Sequence, residues 1–208
     1  MSQVKERPIL FSAPMVRAIL EGRKTVTRRE VKKQAALDCL AAGFEPAFLA
    51  LPGNSDLCPY GKPGDRLWVR ETWYCDHFEV QKGPYLQPVD MHALDQSRED
   101  GELVYAADGL APYEQEQPTW KPSIHMPRWV SRILLEITDV RVERLQDISR
   151  ADIRAEGLQC PPELASDDVS PNYRDWYPAA WRALWESTGG DWNANPWVWV
   201  VEFKRVTP

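Results

Sequence analysis

Two β-type stretches in the C-terminal part of the chain constrain the fold more than any other feature. In "RILLEITDVRVERL", every second residue is apolar on either side of a break at Asp139, which is typical of a strand with one buried face. The apolar positions are Ile133, Leu135, Ile137, Val140 and Val142. The segment "NPWVWVVEFKRV" has a denser apolar pattern, which is typical of an apolar strand. We therefore predict a long or bulged strand in the first segment and a closing apolar strand in the second.

Shorter patterns predict the elements around these strands. "PILFSAPMVRAILEGRK" indicates a helix with Ser12 as N-cap and Gly22 as terminator. Strands are predicted for "KTVTRREV" and, after a turn, for "KPGDRLWVRETW"; helices are predicted for "SRADIRAEGL" and "YPAAWRALWEST". Short strands with few helices and no βαβ alternation favour an α+β protein built on a small mixed β-barrel with flanking helices.

The domain prediction is one domain over residues 1–208, with insertions at about 34–60 and 76–127. The first insertion is Ala-rich and then rich in Pro and Gly, and it predicts one helix over about 33–42. The second contains many Pro, Asp and Gln residues and short apolar runs, which indicate a long, partly hairpinned excursion.

Composition limits the classes of function. The formal net charge is −6, so the chain does not coat nucleic acid with its whole surface, and any phosphate binding requires a local basic patch. The 4 cysteines are widely spaced without a CxxC pair, which favours reduced thiols over a zinc ribbon or redox dithiol. No window reaches the roughly 18 apolar residues of a membrane span. We expect a cytoplasmic protein with no membrane partner.

The segment "GRKTVTRRE" carries the first candidate chemistry. Lys24 and Thr27 are three residues apart, which on a straight strand places them on opposite faces, so they converge only where the chain bends. A left-handed Gly22 at the helix end supplies such a bend. Lys24 can then act as a general base if burial or the neighbouring arginines lower its pKa. The alternative is a set of exposed charges that follow a helix C-terminus.

Acidic and histidine side chains offer possible partners. Glu71 on the polar face of "WVRETW" and Glu156 near the end of "SRADIRAEG" can each transfer protons in a pocket, or each can form a structural ion pair with arginine. His125 is a candidate ligand, acid or base, or a loop histidine. With 3 histidines and no HxxxH spacing, we expect no metal site.

Tryptophans near basic residues form the third group of candidates. Trp68 and Trp129 can stack on a nucleic-acid base, and they can equally fill a core. The sequence contains no P-loop, GxGxxG, GxSxG or HExxH motif, so the common nucleotide-binding and hydrolase signatures are excluded.

The ordered set "EGRKTVTRRE", "KPGDRLWVRETW", "LEITDVRVERLQDISRADIRAEG" and "NPWVWVVEFK" resembles the ASCH domain family, most closely its larger prophage-type members. The resemblance covers about residues 8–33, 61–74, 128–158 and 173–205 and leaves the two insertions unexplained. It implies a PUA-like fold, a small β-barrel with flanking helices that is associated with RNA.

Within that family, the bacterial N4-acetylcytidine amidohydrolases are similar in the same segments. The resemblance implies Lys24 as proton acceptor, Thr27 as nucleophile and Glu156 as proton donor, with no cofactor. Arg29 matches a basic residue of the motif and can hold a carbonyl oxygen or a phosphate. The implied partner is a modified nucleoside or RNA, although this chain is much longer than the small amidohydrolases and its insertions can redirect the pocket.

Two other functions stay open. In a ribonuclease, Lys24, Arg29 and Glu156 would clamp phosphate and act as acid or base. In a non-catalytic RNA-binding module, Arg28 and Arg29 would contact phosphate while the tryptophans stack on bases.

Overall fold

A computed structural model describes residues 4–54, 56–75, 99, 103–109, 120–161 and 176–207. The strands are β1 Glu6–Leu10, β2 Val26–Glu30, β3 Arg66–Arg70, β4 Trp73–Cys75, β5 Leu103–Tyr105, β6 Leu134–Arg144 and β7 Trp197–Val206. The α-helices are α1 Ala13–Leu20, α2 Gln34–Ala41, α3 Pro46–Leu49, α4 Arg150–Ala155 and α5 Trp176–Ser187. None of the helices in these ranges is long and apolar enough to cross a membrane.

The central sheet has 5 strands in the order β1-β3-β6-β7-β2. β1 runs parallel to β3, and the other neighbours are antiparallel. In the described part of the chain, β1 and β2 are the two edges and do not pair with each other, so the sheet is open. The mixed α+β class is confirmed, whereas the prediction of a closed barrel is wrong for these strands.

The longest ladder joins β6 and β7, the two segments with the strongest strand patterns. Their register shifts between Ile137 and Asp139, so of the predicted long or bulged strand the bulged form is present. Alternate residues of β7 enter different cores, as strand geometry requires. Trp199 and Val201 pack with α1 on one face, whereas Val198 and Val200 pack with α4 and α5 on the other.

The predicted helices are confirmed with small shifts at their ends. Ser149 caps α4 by accepting a hydrogen bond from the Asp152 backbone N–H at 3.0 Å. Ser12 occupies the N-cap of α1 but makes no capping hydrogen bond through its side chain. The helix predicted in the first insertion is α2.

The second insertion is described only in part. β4 and β5 form a two-stranded antiparallel sheet, which pairs Trp73–Cys75 before the insertion with Leu103–Tyr105 inside it. Most of the prediction for 76–127 falls on 76–98, 100–102 and 110–119, which lie outside the described residues. Strand β1 was not predicted; it is a short edge strand that contains Pro8, and proline weakens the sequence pattern of a strand.

Candidate functional site

The turn that follows α1 places Lys24 next to residues from the C-terminal half of the chain. Gly22 has φ +75°, the predicted left-handed conformation. The backbone N–H groups of Arg23 and Lys24 both donate to the Ala18 carbonyl, at 2.8 and 2.9 Å. The chain therefore turns sharply before β2 begins.

An isolated antiparallel bridge joins Lys24 to Glu156, the C-cap residue of α4. Next to it, the Thr25 backbone N–H donates to the Ala155 carbonyl at 2.8 Å. Gly157 follows with φ +94°, and a Cβ at this position would lie 2.8 Å from the Cβ of Ala18. Only glycine permits this close approach of α1 and the end of α4.

The Lys24 ammonium is buried and has three acceptors within hydrogen-bond distance. It donates to the Val26 carbonyl at 2.8 Å, to the Glu156 carbonyl at 3.0 Å and to Glu156 Oε2 at 2.6 Å. Its side chain is 0% exposed and that of Glu156 is 3% exposed. The two residues therefore form a buried, hydrogen-bonded ion pair.

Burial is the main reason why the pKa of Lys24 is lowered from its ordinary value of 10.5. The Glu156 carboxylate opposes this effect, and the charges of Arg29 and Arg28 add to it. Of the three arginines expected to lower this pKa, which are Arg23, Arg28 and Arg29, the last two do so, and their effect is smaller than that of burial. Arg23 instead hydrogen-bonds Glu21 at 2.7 Å and the Gly157 carbonyl at 2.6 Å.

Arg28 is buried beside the Lys24–Glu156 pair. Its Nη2 donates to Asp152 at 2.6 Å and to Glu143 at 3.0 Å, and its Nη1 lies 3.5 Å from Glu156 Oε1. Three carboxylates thus surround one guanidinium that is 0% exposed. Most of the Arg28 charge is neutralised within the protein, which argues against Arg28 as a freely available phosphate contact.

Thr27 lies on β2, opposite Val201 of β7, and its residue is buried. The Lys24 ammonium lies 5.6 Å from the Phe11 ring centroid, and the Arg29 guanidinium lies 5.3 Å from the same centroid. Thr27 and Arg29 are two residues apart on β2 and therefore lie on the same face of the strand. Because the Lys24 ammonium and the Arg29 guanidinium lie near the same Phe11 ring, the bend brings the Lys24 ammonium to that face. Within the described residues, no hydrogen bond joins the Lys24 ammonium to the Thr27 hydroxyl.

A cavity of about 610 Å³ lies over the β2 edge of the sheet. This is within the usual range for small-molecule sites. Its walls come from α1, from β2 and the residues that follow it, from the first insertion, from the C-cap of α4, and from α5 and the residues after it. The lining residues are Met15, Thr27, Arg28, Arg29, Glu30, Lys32, Lys33, Pro59, Tyr60, Glu156, Trp181, Leu184, Trp185, Thr188, Gly189 and Gly190. Four of the predicted site residues therefore line one cavity, namely Thr27, Arg28, Arg29 and Glu156. The Lys24 ammonium is hydrogen-bonded to the Glu156 carboxylate.

The other predicted substrate-binding residues are not part of this lining. Glu71 is buried and accepts two hydrogen bonds from Arg132, both at 3.0 Å; burial is the main reason why the pKa of Glu71 is raised. Glu71 therefore forms the structural ion pair with an arginine that was the alternative to a role in proton transfer.

Trp68, Trp129 and His125 are also separate from the cavity lining. Trp68 lies in β3 beneath the Arg70 guanidinium, 4.7 Å from the ring centroid, and Trp129 packs edge-on against Trp73. His125 is an exposed residue of the 3-10 turn Ser123–His125. The described residues contain no group of three or more His, Cys, Asp or Glu side chains that could hold a metal ion.

The cavity is lined instead by aromatic residues that were not predicted from the sequence. Trp181 and Trp185 lie one helical turn apart on α5, and Tyr60 comes from the first insertion. The i, i+4 spacing of the two tryptophans predicts a shared helix face, but it does not distinguish a cavity wall from a core face.

No family model, curated protein or solved structure matches this chain significantly.

Proposed function

We propose that this protein is an amidohydrolase that removes the acyl group from N4-acylated cytidine, and that its fold is an elaborated variant of the ASCH fold in which the described sheet is open. The observation that carries the proposal is the buried Lys24–Glu156 pair, with 2.6 Å between ammonium and carboxylate, at the edge of a cavity that Thr27 also lines. An amide needs a nucleophile, a base to accept its proton and an acid to protonate the departing nitrogen.

The ion pair can supply both the base and the acid. If one proton moves from Lys24 to Glu156 across their 2.6 Å hydrogen bond, the result is a neutral amine and a neutral carboxylic acid. The total charge of the pair is unchanged, and no proton exchange with solvent is required. Burial favours the neutral form of Lys24, because a charged group loses its hydration inside a protein.

In the proposed first step, Thr27 Oγ1 attacks the carbonyl carbon of the acyl group and forms a C–O bond. Lys24 accepts the hydroxyl proton. The C–N4 bond then breaks, Glu156 protonates the departing nitrogen, and cytidine leaves an acyl ester on Thr27. Water hydrolyses this ester, which releases the carboxylic acid and restores the hydroxyl.

One rearrangement belongs to this scheme. The Lys24 nitrogen contacts the Val26 carbonyl at 2.8 Å, and it must exchange that contact for the Thr27 hydroxyl when substrate binds. Catalytic hydrogen bonds are commonly formed only in the substrate complex. Trp185 and Tyr60 provide aromatic surface in the same cavity that can hold the cytosine ring and exclude water.

The test is incubation of the purified protein with N4-acetylcytidine, with cytidine and acetate quantified together. Equal amounts of both products are expected. Lys24→Met, Thr27→Val and Glu156→Gln each reduce turnover by at least about 100-fold, in the range of general acid–base contributions. Glu21→Gln is the control, because Glu21 is exposed and outside the cavity lining.

Failure of the wild-type protein to turn over N4-acetylcytidine or its nucleotide and RNA forms would contradict the proposal. Cleavage of RNA chains without deacylation would favour the ribonuclease, and salt-dependent RNA binding without either reaction would favour the binding module.

A further inference from the structure

The charges that line the cavity do not cancel. Its lining contains four cations and two carboxylates. These are Arg28, Arg29, Lys32, Lys33, Glu30 and Glu156. The difference is a formal charge of +2 around a cavity in a chain whose net charge is −6. The positive potential is therefore a local property of this site.

Most of these charges are already compensated by contacts within the protein. Glu156 pairs with Lys24 at 2.6 Å, and Arg28 pairs with Asp152 at 2.6 Å. At the surface, the Lys32 ammonium lies 3.7 Å from a Glu30 oxygen. These groups have oppositely charged partners without any ligand.

Arg29 and Lys33 differ from the other cations of the lining. Arg29 Nη2 donates to the Leu10 carbonyl at 2.5 Å, and the Lys33 ammonium donates to the Asp56 carbonyl at 2.5 Å. Both acceptors are neutral, and neither cation has an ion pair with a carboxylate of the described residues. Two positive charges in the wall of one cavity therefore have no carboxylate partner in the part of the chain that the structure describes.

The structural context of these residues favours an anion. Arg29 is held by β2, where it pairs with Trp199 of the central ladder, and the guanidinium also packs over the Phe11 ring. Lys33 precedes α2, whose first turn contains no acidic residue. The dipole of α2 therefore adds to the positive potential near Lys33. Guanidinium and ammonium groups are the usual protein donors to phosphate oxygens.

We propose that the cavity binds a phosphorylated form of its substrate, with the phosphate at Arg29 and Lys33 and the base directed toward Thr27 and Glu156. The inference rests on the proposed deacylation for the identity of the base, whereas the preference for a phosphate is argued from the charges of Arg29 and Lys33. The phosphate belongs either to a mononucleotide or to the terminal nucleotide of an RNA chain.

The kinetic test compares N4-acetylcytidine, its 5′-monophosphate and a short RNA that ends in N4-acetylcytidine. The KM for the monophosphate is expected to be about tenfold lower than for the nucleoside, with a similar kcat, which corresponds to about 1.4 kcal/mol. Lys33→Gln reduces this ratio to below about threefold, whereas Lys33→Arg preserves it. Lys204→Gln is the matched control, since this exposed lysine pairs with Glu136 and is outside the cavity lining.

The RNA substrate distinguishes the two sources of phosphate: a KM below that of the monophosphate identifies an RNA end, and a higher KM identifies a mononucleotide. Equal KM values for nucleoside and both phosphorylated substrates would overturn the inference. So would an unchanged ratio in Lys33→Gln.

A binding experiment separates this inference from the proposed reaction. Calorimetric titration with cytidine and with cytidine 5′-monophosphate requires no turnover. Tighter binding of the monophosphate that is lost in Lys33→Gln supports the phosphate site even if no acylated cytidine is hydrolysed. Equal binding of both ligands refutes the phosphate site even if deacylation is observed.

Discussion

The Lys24 ammonium nitrogen lies 2.6 Å from Glu156 Oε2, and neither side chain is more than 3% exposed. The two residues are 132 positions apart in the sequence. An ion pair with so little solvent contact has lost nearly all of its hydration, so its protonation depends on the surrounding protein groups.

The first prediction concerns the pH dependence of deacylation. Because the reactive Lys24–Glu156 pair holds one proton, which Glu156 must donate to the departing nitrogen, kcat/KM should fall at high pH, when Lys24 loses this proton to solvent. The midpoint should lie below 10.5, since the pKa of Lys24 is lowered by burial and by nearby arginines. In Arg29→Gln, one charge that lowers this pKa is absent, so the midpoint should move to higher pH.

Arg23→Gln is the control for this shift. Arg23 bonds to Glu21 and to the Gly157 carbonyl and is not among the groups that change the pKa of Lys24. Its pH profile should match that of the wild-type protein. A profile that rises as pH approaches 10.5 would exclude a proton shared by Lys24 and Glu156 as the source of the acid and the base.

The second prediction concerns stability. Lys24→Met leaves the Glu156 carboxylate buried without its closest cation and should lower the free energy of unfolding by about 3–5 kcal/mol. The double variant Lys24→Met/Glu156→Met removes both charges and should be clearly more stable than the single variant. Urea denaturation of the two variants and the wild type measures the difference. Equal destabilisation in both would show that lost packing, not the unpaired charge, is the cause.

Gly157 provides a third prediction. Gly157→Ala places a Cβ 2.8 Å from the Ala18 Cβ at φ +94° and should cost about 1–3 kcal/mol for the steric conflict in addition to the backbone strain. Gly43→Ala is the control, because Gly43 has φ +86° with no atom within 4 Å of the added Cβ. It should therefore cost only about 1–2 kcal/mol. If thermal unfolding showed equal losses, the close approach at Gly157 would have no energetic consequence.

The fourth prediction tests which tryptophan contacts the substrate. Trp185→Phe should raise the KM for N4-acetylcytidine about threefold or more, because stacking area is lost in the cavity wall. The indole N–H of Trp185 has no hydrogen-bond partner among the described residues, so this exchange breaks no such bond. Trp68→Phe, in β3, should leave KM unchanged. A raised KM in Trp68→Phe together with an unchanged KM in Trp185→Phe would instead assign the stacking on the base to Trp68.

Local patterns were enough to predict most elements. The broken alternation at Asp139 and the helix pattern of α4 each lie within one segment, and both elements were predicted. Strand β1 was not predicted, because a five-residue edge strand with a proline has little pattern of its own and is stabilised by its pairing with β3. The openness of the sheet likewise depends on whether distant edges meet, which no local pattern determines.

For the candidate site, the sequence by itself determined the residue types, the left-handed Gly22 and the resemblance that grouped Lys24, Thr27 and Glu156. Only the tertiary structure decided that Glu71 bonds to Arg132, that Trp181 and Trp185 line the cavity, and that Lys33 faces it without an ion-pair partner among the described residues. The physical reason is that burial and charge compensation depend on groups brought together by folding from distant parts of the chain.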